Sequence, residues 1–255
     1  MSLPLAGRGI VVTRPITQVE TLAQGIRAAG GDALVFPAME IVPISDAAFA
    51  ACIDQLPTFD AAIFISPNAA RHGLAALKAQ REWPEYLKIF ALGPGTAREL
   101  AQHGLTEIIQ PDGQDTEALL ALPQLNHVAG QRIVIFRGVG GRELLADTLK
   151  ARGAQTTYAE CYRRVRPERD AQPLMQRWRA GQIHAVTIHS AETLHNLAHM
   201  VGEPGLAYLR STPFFVPHEK IAQAARVLGI RQVIATAGSD TGLLAGLITW
   251  FQAHA

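Results

Sequence analysis

Short apolar runs bounded by turn residues alternate along this chain with longer segments whose apolar positions recur at helical spacing, the pattern of parallel α/β units. Gly9 to Thr13 (GIVVT) reads as a strand closed by Arg14-Pro15. Thr17 to Ala29 follows as a helix with Val19, Leu22 and Ile26 on one face and Gly30-Gly31 as its stop. Ala33 to Phe36 is the next strand, and it runs on through Pro37 to Ile44, longer than a sheet interior requires. The units continue with a helix from Asp46 to Leu56, a strand AAIFIS ending at Ser66-Pro67-Asn68, a helix through Leu77 and a strand KIFALG ending at Gly93-Pro94-Gly95-Thr96. Helix TARELAQHG, strand TEIIQ and turn PDGQDT come next, with Asp115 or Thr116 as the cap of EALLALPQL.

The pattern then restarts. Arg132 to Phe136 (RIVIF) is a strand, Arg137-Gly138 closes it, and RELLADTLKARG repeats the form of the first helix with its glycine stop. Four landmarks recur at a nearly constant offset: Arg14 to Arg137 is 123 positions, Ser66 to Ser190 is 124, Pro94 to Pro217 is 123 and Asp115 to Asp240 is 125. Periodicity alone is common to all α/β chains, but steady spacing points to duplication.

Duplication permits a tandem cut near Gly130 or an interleaved one. Interleaving is favoured, because both first units are followed by an extended segment too long for one sheet strand, Phe36 to Ile44 and Tyr158 to Val165. The second lies within TYAECYRRVRP, Thr157 to Pro167, whose run suits a bridge. The expected architecture is therefore residues 1–36 with 167–255 as a discontinuous α/β domain, 45–157 as a second, and 37–44 with 158–166 as bridging strands that pair as a two-stranded ladder and form a hinge.

Composition narrows the function. At 255 residues and 48% hydrophobic, the chain has ample material for packed cores. Lys+Arg 23 against Asp+Glu 22 leaves a net charge of +1, which argues against a nucleic-acid surface and requires an anionic ligand to be met locally. MSLPLAGRGIVVTRP lacks a signal peptide's apolar stretch and no run reaches a membrane span, so a cytoplasmic protein is expected. Cys52 and Cys161 fit no metal or disulfide spacing and read as packed thiols.

In open parallel sheets, ligands bind beyond the carboxyl ends of the strands, where helix N-termini present unpaired N–H groups. Those ends here are Thr13-Arg14, Ser66-Pro67-Asn68, Gly93-Pro94-Gly95-Thr96, Arg137-Gly138, His189-Ser190 and Gly238-Ser239. Such hydroxyls, glycines and arginines suit a ligand bearing many carboxylates, although Ser66, Ser190 and Ser239 also qualify as plain helix caps. Gly138-Val139-Gly140-Gly141 lacks the third glycine of a dinucleotide loop, no Gly-Lys-Ser/Thr follows, and there is no G-x-S-x-G elbow. His195 and His199 stand one turn apart without the glutamate of H-E-x-x-H, so no metal is expected, and only His189 is retained as a site histidine. Arg163, Arg164, Arg166 and Arg169 read equally well as a solvated face.

GIVVTRP with its helix, AIFISPNA, ALGPGTARELAQHG, IVIFRG followed by RELLADTLKARGA, ECYRR and VIATAGSDTGLL together resemble the uroporphyrinogen-III synthase family over nearly the whole chain, in order and spacing rather than in any single motif. The resemblance implies two flavodoxin-like parallel-sheet domains joined by a β-ladder, an active site in the cleft between them, and a cyclising lyase. That lyase closes hydroxymethylbilane to uroporphyrinogen III with loss of water and inversion of the last pyrrole through a spiro intermediate, without a cofactor. It further implies a small-molecule substrate handed over by the preceding deaminase, a monomer, and no nucleic-acid or membrane partner. Tyr162 matches the family's bridge-strand tyrosine, which helps the hydroxyl leave; Ser66, Thr96 and Ser190 match cleft-lining hydroxyls, and Arg14 and Arg137 match the paired strand-end arginines. Gly138 and His189 complete the expected substrate-binding set. The chain departs from relatives at Pro217-His218-Glu219-Lys220 and at Ile188-His189-Ser190. A non-catalytic bilobed ligand-binding or sensor protein and a nucleotide-sugar transferase are the competing readings.

Overall fold

The apolar runs become the strands of two parallel sheets in the computed structural model, which describes residues 3–254. Residues 1, 2 and 255, at the ends of the expected discontinuous domain, lie outside the described residues. The order begins β1 (Gly9–Val12), α1 (Glu20–Ala28), β2 (Asp32–Val35), β3 (Glu40–Pro43), α2 (Ala47–Asp54), β4 (Ala61–Phe64) and α3 (Pro67–Lys78). It continues with β5 (Lys88–Ala91), α4 (Pro94–Gln102), β6 (Ile108–Ile109), α5 (Thr116–Leu120), β7 (Arg132–Gly138), α6 (Leu144–Ala151) and β8 (Gln155–Val165). The remainder is α7 (Gln172–Arg179), β9 (Ala185–Thr187), α8 (Ala191–Ser211), β10 (Phe214–Val216), α9 (Glu219–Val227), β11 (Val233–Ala235) and α10 (Asp240–Ala253).

The chain divides into two units, Met1–Glu40 with Val165–Ala255, and Ile41–Arg164. In the first unit the sheet order is β11-β10-β9-β1-β2, with each pair parallel. Counted along that unit, this is the 2-1-3-4-5 order of doubly wound sheets. Alternation along β1 sends Ile10 and Val12 to one face, among Leu22, Ile26, Leu243 and Leu247 of α1 and α10. It sends Val11 to the other, among Leu174, Trp178, Leu194 and Leu197 of α7 and α8. With both faces covered, β1, β9 and β10 are buried throughout, which is why they read as unbroken apolar runs.

The second unit's sheet runs β3-β8-β7-β4-β5-β6. Its β8-β7-β4-β5-β6 portion repeats the first unit's β2-β1-β9-β10-β11, element for element, so the recurring offset corresponds to a repeated strand order. One landmark shifts: Asp115 caps α5 and its counterpart as a cap is Ser239, so this pair also stands at about 124 and the Asp115 to Asp240 match was one residue off. Phe64 and Phe136 stack at 4.4 Å in the core of this unit, a contact worth about 1 kcal/mol beyond its burial. Cys52 and Cys161 are buried and free, and burial pushes their thiols up to about 11 and about 12.

Several boundaries move for local reasons. Pro15 leads into a 3-10 turn at Ile16–Gln18, so α1 starts at Glu20 rather than Thr17. Helix α4 starts at Pro94, where proline's missing N–H costs nothing, and not at Thr96. Gly140 and Gly141 hold φ of 73° and 114°, which keeps the segment before α6 out of the helix. The extended run expected from Ala33 to Ile44 is interrupted between β2 and β3.

Gly9 opens β1 where the chain passes closest to its neighbour: a Cβ there would sit 1.9 Å from the Gln182 carbonyl oxygen. Its N–H donates to His184 Nδ1 at 3.0 Å, and its own carbonyl accepts from the His184 N–H. Gly9→Ala is therefore expected to cost about 2 to 3 kcal/mol of unfolding free energy in urea titration. A loss below about 0.5 kcal/mol would mean that the Gln182 turn gives way freely.

Candidate active site

In the second unit the strand ends converge on Tyr162. Strand β8 pairs with β7 in regular parallel register from Arg132↔Gln155 to Arg137↔Glu160, and the next pair is Gly138↔Tyr162. Cys161 is thus an extra residue in β8, taken up as a bulge. Without it, Tyr162 would share the face of Tyr158 and Glu160. With it, Ala159, Cys161 and Tyr162 all join the same core as Phe64, Ala69 and Phe136. The Tyr162 ring lies over Gly138, where a Cβ would come within 2.6 Å of two ring atoms. Tyr162, hydroxyl included, is 1% exposed. Its hydroxyl lies 3.1 Å from Ser66 Oγ and accepts from Arg164 Nη2 at 3.3 Å, and the His72 ring stands 5.9 Å from it, centroid to centroid.

Ser66 is also the cap of α3, accepting from the Ala69 N–H at 3.0 Å. Capping and contact with Tyr162 therefore coexist in one hydroxyl. Thr96 is buried in the first turn of α4, its N–H bonded to the Gly93 carbonyl. Arg137 is spent on its own loop: Nε donates to the Gly138 carbonyl at 3.2 Å, Nη1 to Glu143 at 3.0 Å and Nη2 to the Gly140 carbonyl. Its guanidinium stacks on Tyr158 at 4.4 Å. The Tyr158 hydroxyl donates to Glu143, and burial followed by that bond pushes the phenol up to about 12. Hydrogen bonds from Tyr158 and Arg137 hold the Glu143 carboxyl below its ordinary range.

In the first unit, Arg14 and His189 meet on Asp240 at the N-terminus of α10. Arg14 Nη1 donates to Asp240 Oδ1 at 2.5 Å, and His189 Nε2 lies 3.2 Å from the same oxygen. Burial opposes the Asp240 charge, but the hydrogen bond from His189 and the Arg14 charge outweigh it and lower the pKa. Burial is also the main reason that the His189 pKa is lowered, against the pull of Asp240. The other ring nitrogen, Nδ1, is buried without a protein partner. Ser190 caps α8 through the Thr193 N–H, and its hydroxyl lies 2.8 Å from Thr193 Oγ1. Of the departing segment, His218, Glu219 and Lys220 are exposed, and Glu219 pairs with Arg226.

Elsewhere in the second unit a concavity of about 860 Å³, lined by Trp83, Tyr86, Gly104 and Ile108, contains none of the expected site residues. No group of three or more His, Cys, Asp or Glu among the described residues is placed to hold a metal ion, and no helix among them is long and apolar enough to cross a membrane.

The family model described as "Uroporphyrinogen-III synthase HemD" matches residues 20–245. The chain belongs to the uroporphyrinogen-III synthase family. It is 35% identical over 244 residues to the uroporphyrinogen-III synthase of Escherichia coli K12, covering 92% of this chain and 97% of that one. Its identity to the Salmonella typhimurium protein of the same name is 34% over 241 residues, with the same coverage of 92% and 97%. A mutant uroporphyrinogen III synthase from the extremely thermophilic bacterium Thermus thermophilus superposes with a TM-score of 0.63 at 16% identity, over 96% of this chain and 99% of that chain. That likeness shows a shared α/β fold with parallel sheets. Members of the uroporphyrinogen-III synthase family are cyclising lyases that serve porphyrin and haem biosynthesis.

Sequence reasoning on this family member did not single out two residues that organise its rims. Asp240 served only as a spacing landmark, though an acid opening a helix beside a strand-end arginine is a legible pairing. Arg164 is one of four arginines that read equally well as a solvated face, and its hydrogen bond to Tyr162 two residues before it is what singles it out.

Both rims can be tested by substitution. Gly138→Ala forces the Tyr162 ring to move, so turnover is expected to fall about tenfold or more while stability falls by about 1 to 3 kcal/mol; unchanged turnover in a folded variant would show that ring position is unimportant. For His189 the folded pKa is lowered, so the unfolded chain takes the proton first. The contribution is complete above the ordinary value of about 6.5 and is lost as pH falls through the folded pKa. Between about pH 7 and pH 5, urea titrations should show wild type losing more stability than His189→Gln. Parallel curves would remove His189 from the balance.

Proposed function

We propose that the protein is a uroporphyrinogen-III synthase that closes hydroxymethylbilane to uroporphyrinogen III, with Tyr162 as the group that helps the substrate hydroxyl leave. The observation that carries this reading is the Tyr162 hydroxyl held at a strand-end rim by Ser66 and Arg164, in a chain that belongs to the family. The phenol gives its proton to the departing hydroxyl, the C–O bond breaks with its electron pair on oxygen, and water leaves. Ring closure through the spiro intermediate then releases a proton from carbon, which restores the phenol. The substrate also closes unaided to the unrotated isomer, so the enzyme's task is chiefly to hold one folded arrangement and exclude the other.

Carboxylates of the substrate are received by the N-terminal N–H groups of α3, α4 and α8, with Ser66, Thr96 and Ser190 beside them. Arg14 and His189 add donors on the first unit's rim. Arg137 and Gly138 serve the second rim by fixing its loop and by making room for Tyr162. Residues 37–44 and 158–166 act as the bridging segments of a two-domain enzyme whose domains resemble flavodoxin. The reading extends to a cytoplasmic monomer that works without a cofactor and takes its substrate from the preceding deaminase.

The test is conversion of hydroxymethylbilane by the purified chain, without added metal or nucleotide, followed by isomer analysis. The III isomer is expected, and production of the I isomer alone would end the proposal. Tyr162→Phe is expected to lower turnover by about 10- to 100-fold in a folded protein; full activity would reduce Tyr162 to a packing residue.

A further inference from the structure

We propose that Arg164 is a positioning residue that, together with Ser66, fixes the direction of the Tyr162 hydroxyl proton; this rests on the reading of Tyr162 as the acid given above. A phenol oxygen carries one proton and accepts hydrogen bonds, whereas a guanidinium only donates. The 3.3 Å contact therefore runs from Arg164 Nη2 to the Tyr162 oxygen. Ser66 Oγ already accepts from the Ala69 N–H at 3.0 Å, which leaves its own hydrogen free for the Tyr162 oxygen 3.1 Å away. With two donors on that oxygen, the phenol proton is engaged by neither neighbour and is the one left for a substrate atom.

The same two donors match the charge that develops when the proton leaves. The oxygen turns from phenol to phenolate as the hydroxyl departs as water, and both N–H and O–H are already aimed at it, so no reorganisation is needed at that moment. The Arg164 guanidinium, 5.6 Å from the ring centroid, supplies the positive charge. Burial separates the roles: the Tyr162 ring is held in the core by Gly138 and the bulge, while Arg164 is exposed, lies outside that core and meets the ring only through its guanidinium. Arg164 can thus be changed without dismantling the site, unlike Ser66, which also caps α3.

The experiment is a double-mutant cycle of Arg164→Gln and Tyr162→Phe, with Arg164→Lys as the conservative variant. Arg164→Gln is expected to lower kcat about tenfold with KM unchanged and partial recovery in Arg164→Lys, and to add no further loss once Tyr162 is phenylalanine. Independent losses, or a loss wholly in KM, overturn the proposal while leaving the proposed activity intact. A readout free of turnover comes from fluorine NMR of protein carrying fluorotyrosine, with the Tyr162 resonance assigned by its loss in Tyr162→Phe. That resonance should move in Arg164→Gln, and a stationary resonance overturns the contact. A wild-type chain that yields no III isomer removes the proposed function, and the resonance still decides whether Arg164 sets the hydroxyl.

Discussion

One extra residue in β8 controls the second unit's rim. In a parallel pair, a slip of one residue moves every following side chain to the opposite face. Cys161 is that residue. Because it is absorbed opposite Gly138, Tyr162 leaves the face of Tyr158 and Glu160 and enters the core that holds Phe64 and Phe136, beside Ser66 at the start of α3. The side chain displaced by this is nothing larger than hydrogen, since Gly138 lies beneath the ring. The thiol of Cys161 is satisfied by the Ala69 and Arg137 carbonyls, which anchors the bulge to both neighbouring elements.

The duplicated architecture shows how equivalent positions take different tasks. Arg14 and Arg137 close corresponding strands, yet their partners are unlike. Arg14 reaches across to the helix that opens at Asp240, and the acid draws His189 into the same cluster. Arg137 turns back on two carbonyls and one carboxylate of the loop that follows it, and it is almost wholly buried. A buried guanidinium without partners is costly, so a loop rich in carbonyls at positive-φ glycines is a suitable place for one. The bulge has no counterpart in the first unit's matching pair, since β2 pairs with β1 in unbroken register from Gly9 to Val12.

Much of this fold is legible in the order of residues. Continuous apolar runs are what a sheet covered on both faces requires, and the strands at Gly9, Ala61, Lys88 and Arg132 follow them closely. Serines before helical periods became the caps of α3, α8 and α10, since a side-chain oxygen there satisfies an otherwise unpaired N–H. Ends of elements match less closely. Strand β6 keeps only Ile108–Ile109 of the run TEIIQ, and the opening turn of α1 is 3-10 because Pro15 sets its entry.

The sequence by itself determined the alternation of elements, the repeated spacing and the chemical character of the strand ends, because those depend on neighbours within a few residues. Tertiary structure decided which end groups touch. Arg164 and Tyr162 are two residues apart, and in a regular strand that spacing fixes the face on which a side chain lies but not its partner. Ser66 and Tyr162 are 96 residues apart, and Arg14 and Asp240 are 226. Contacts over such distances follow from strand order and from a one-residue bulge, which no local pattern of polarity records.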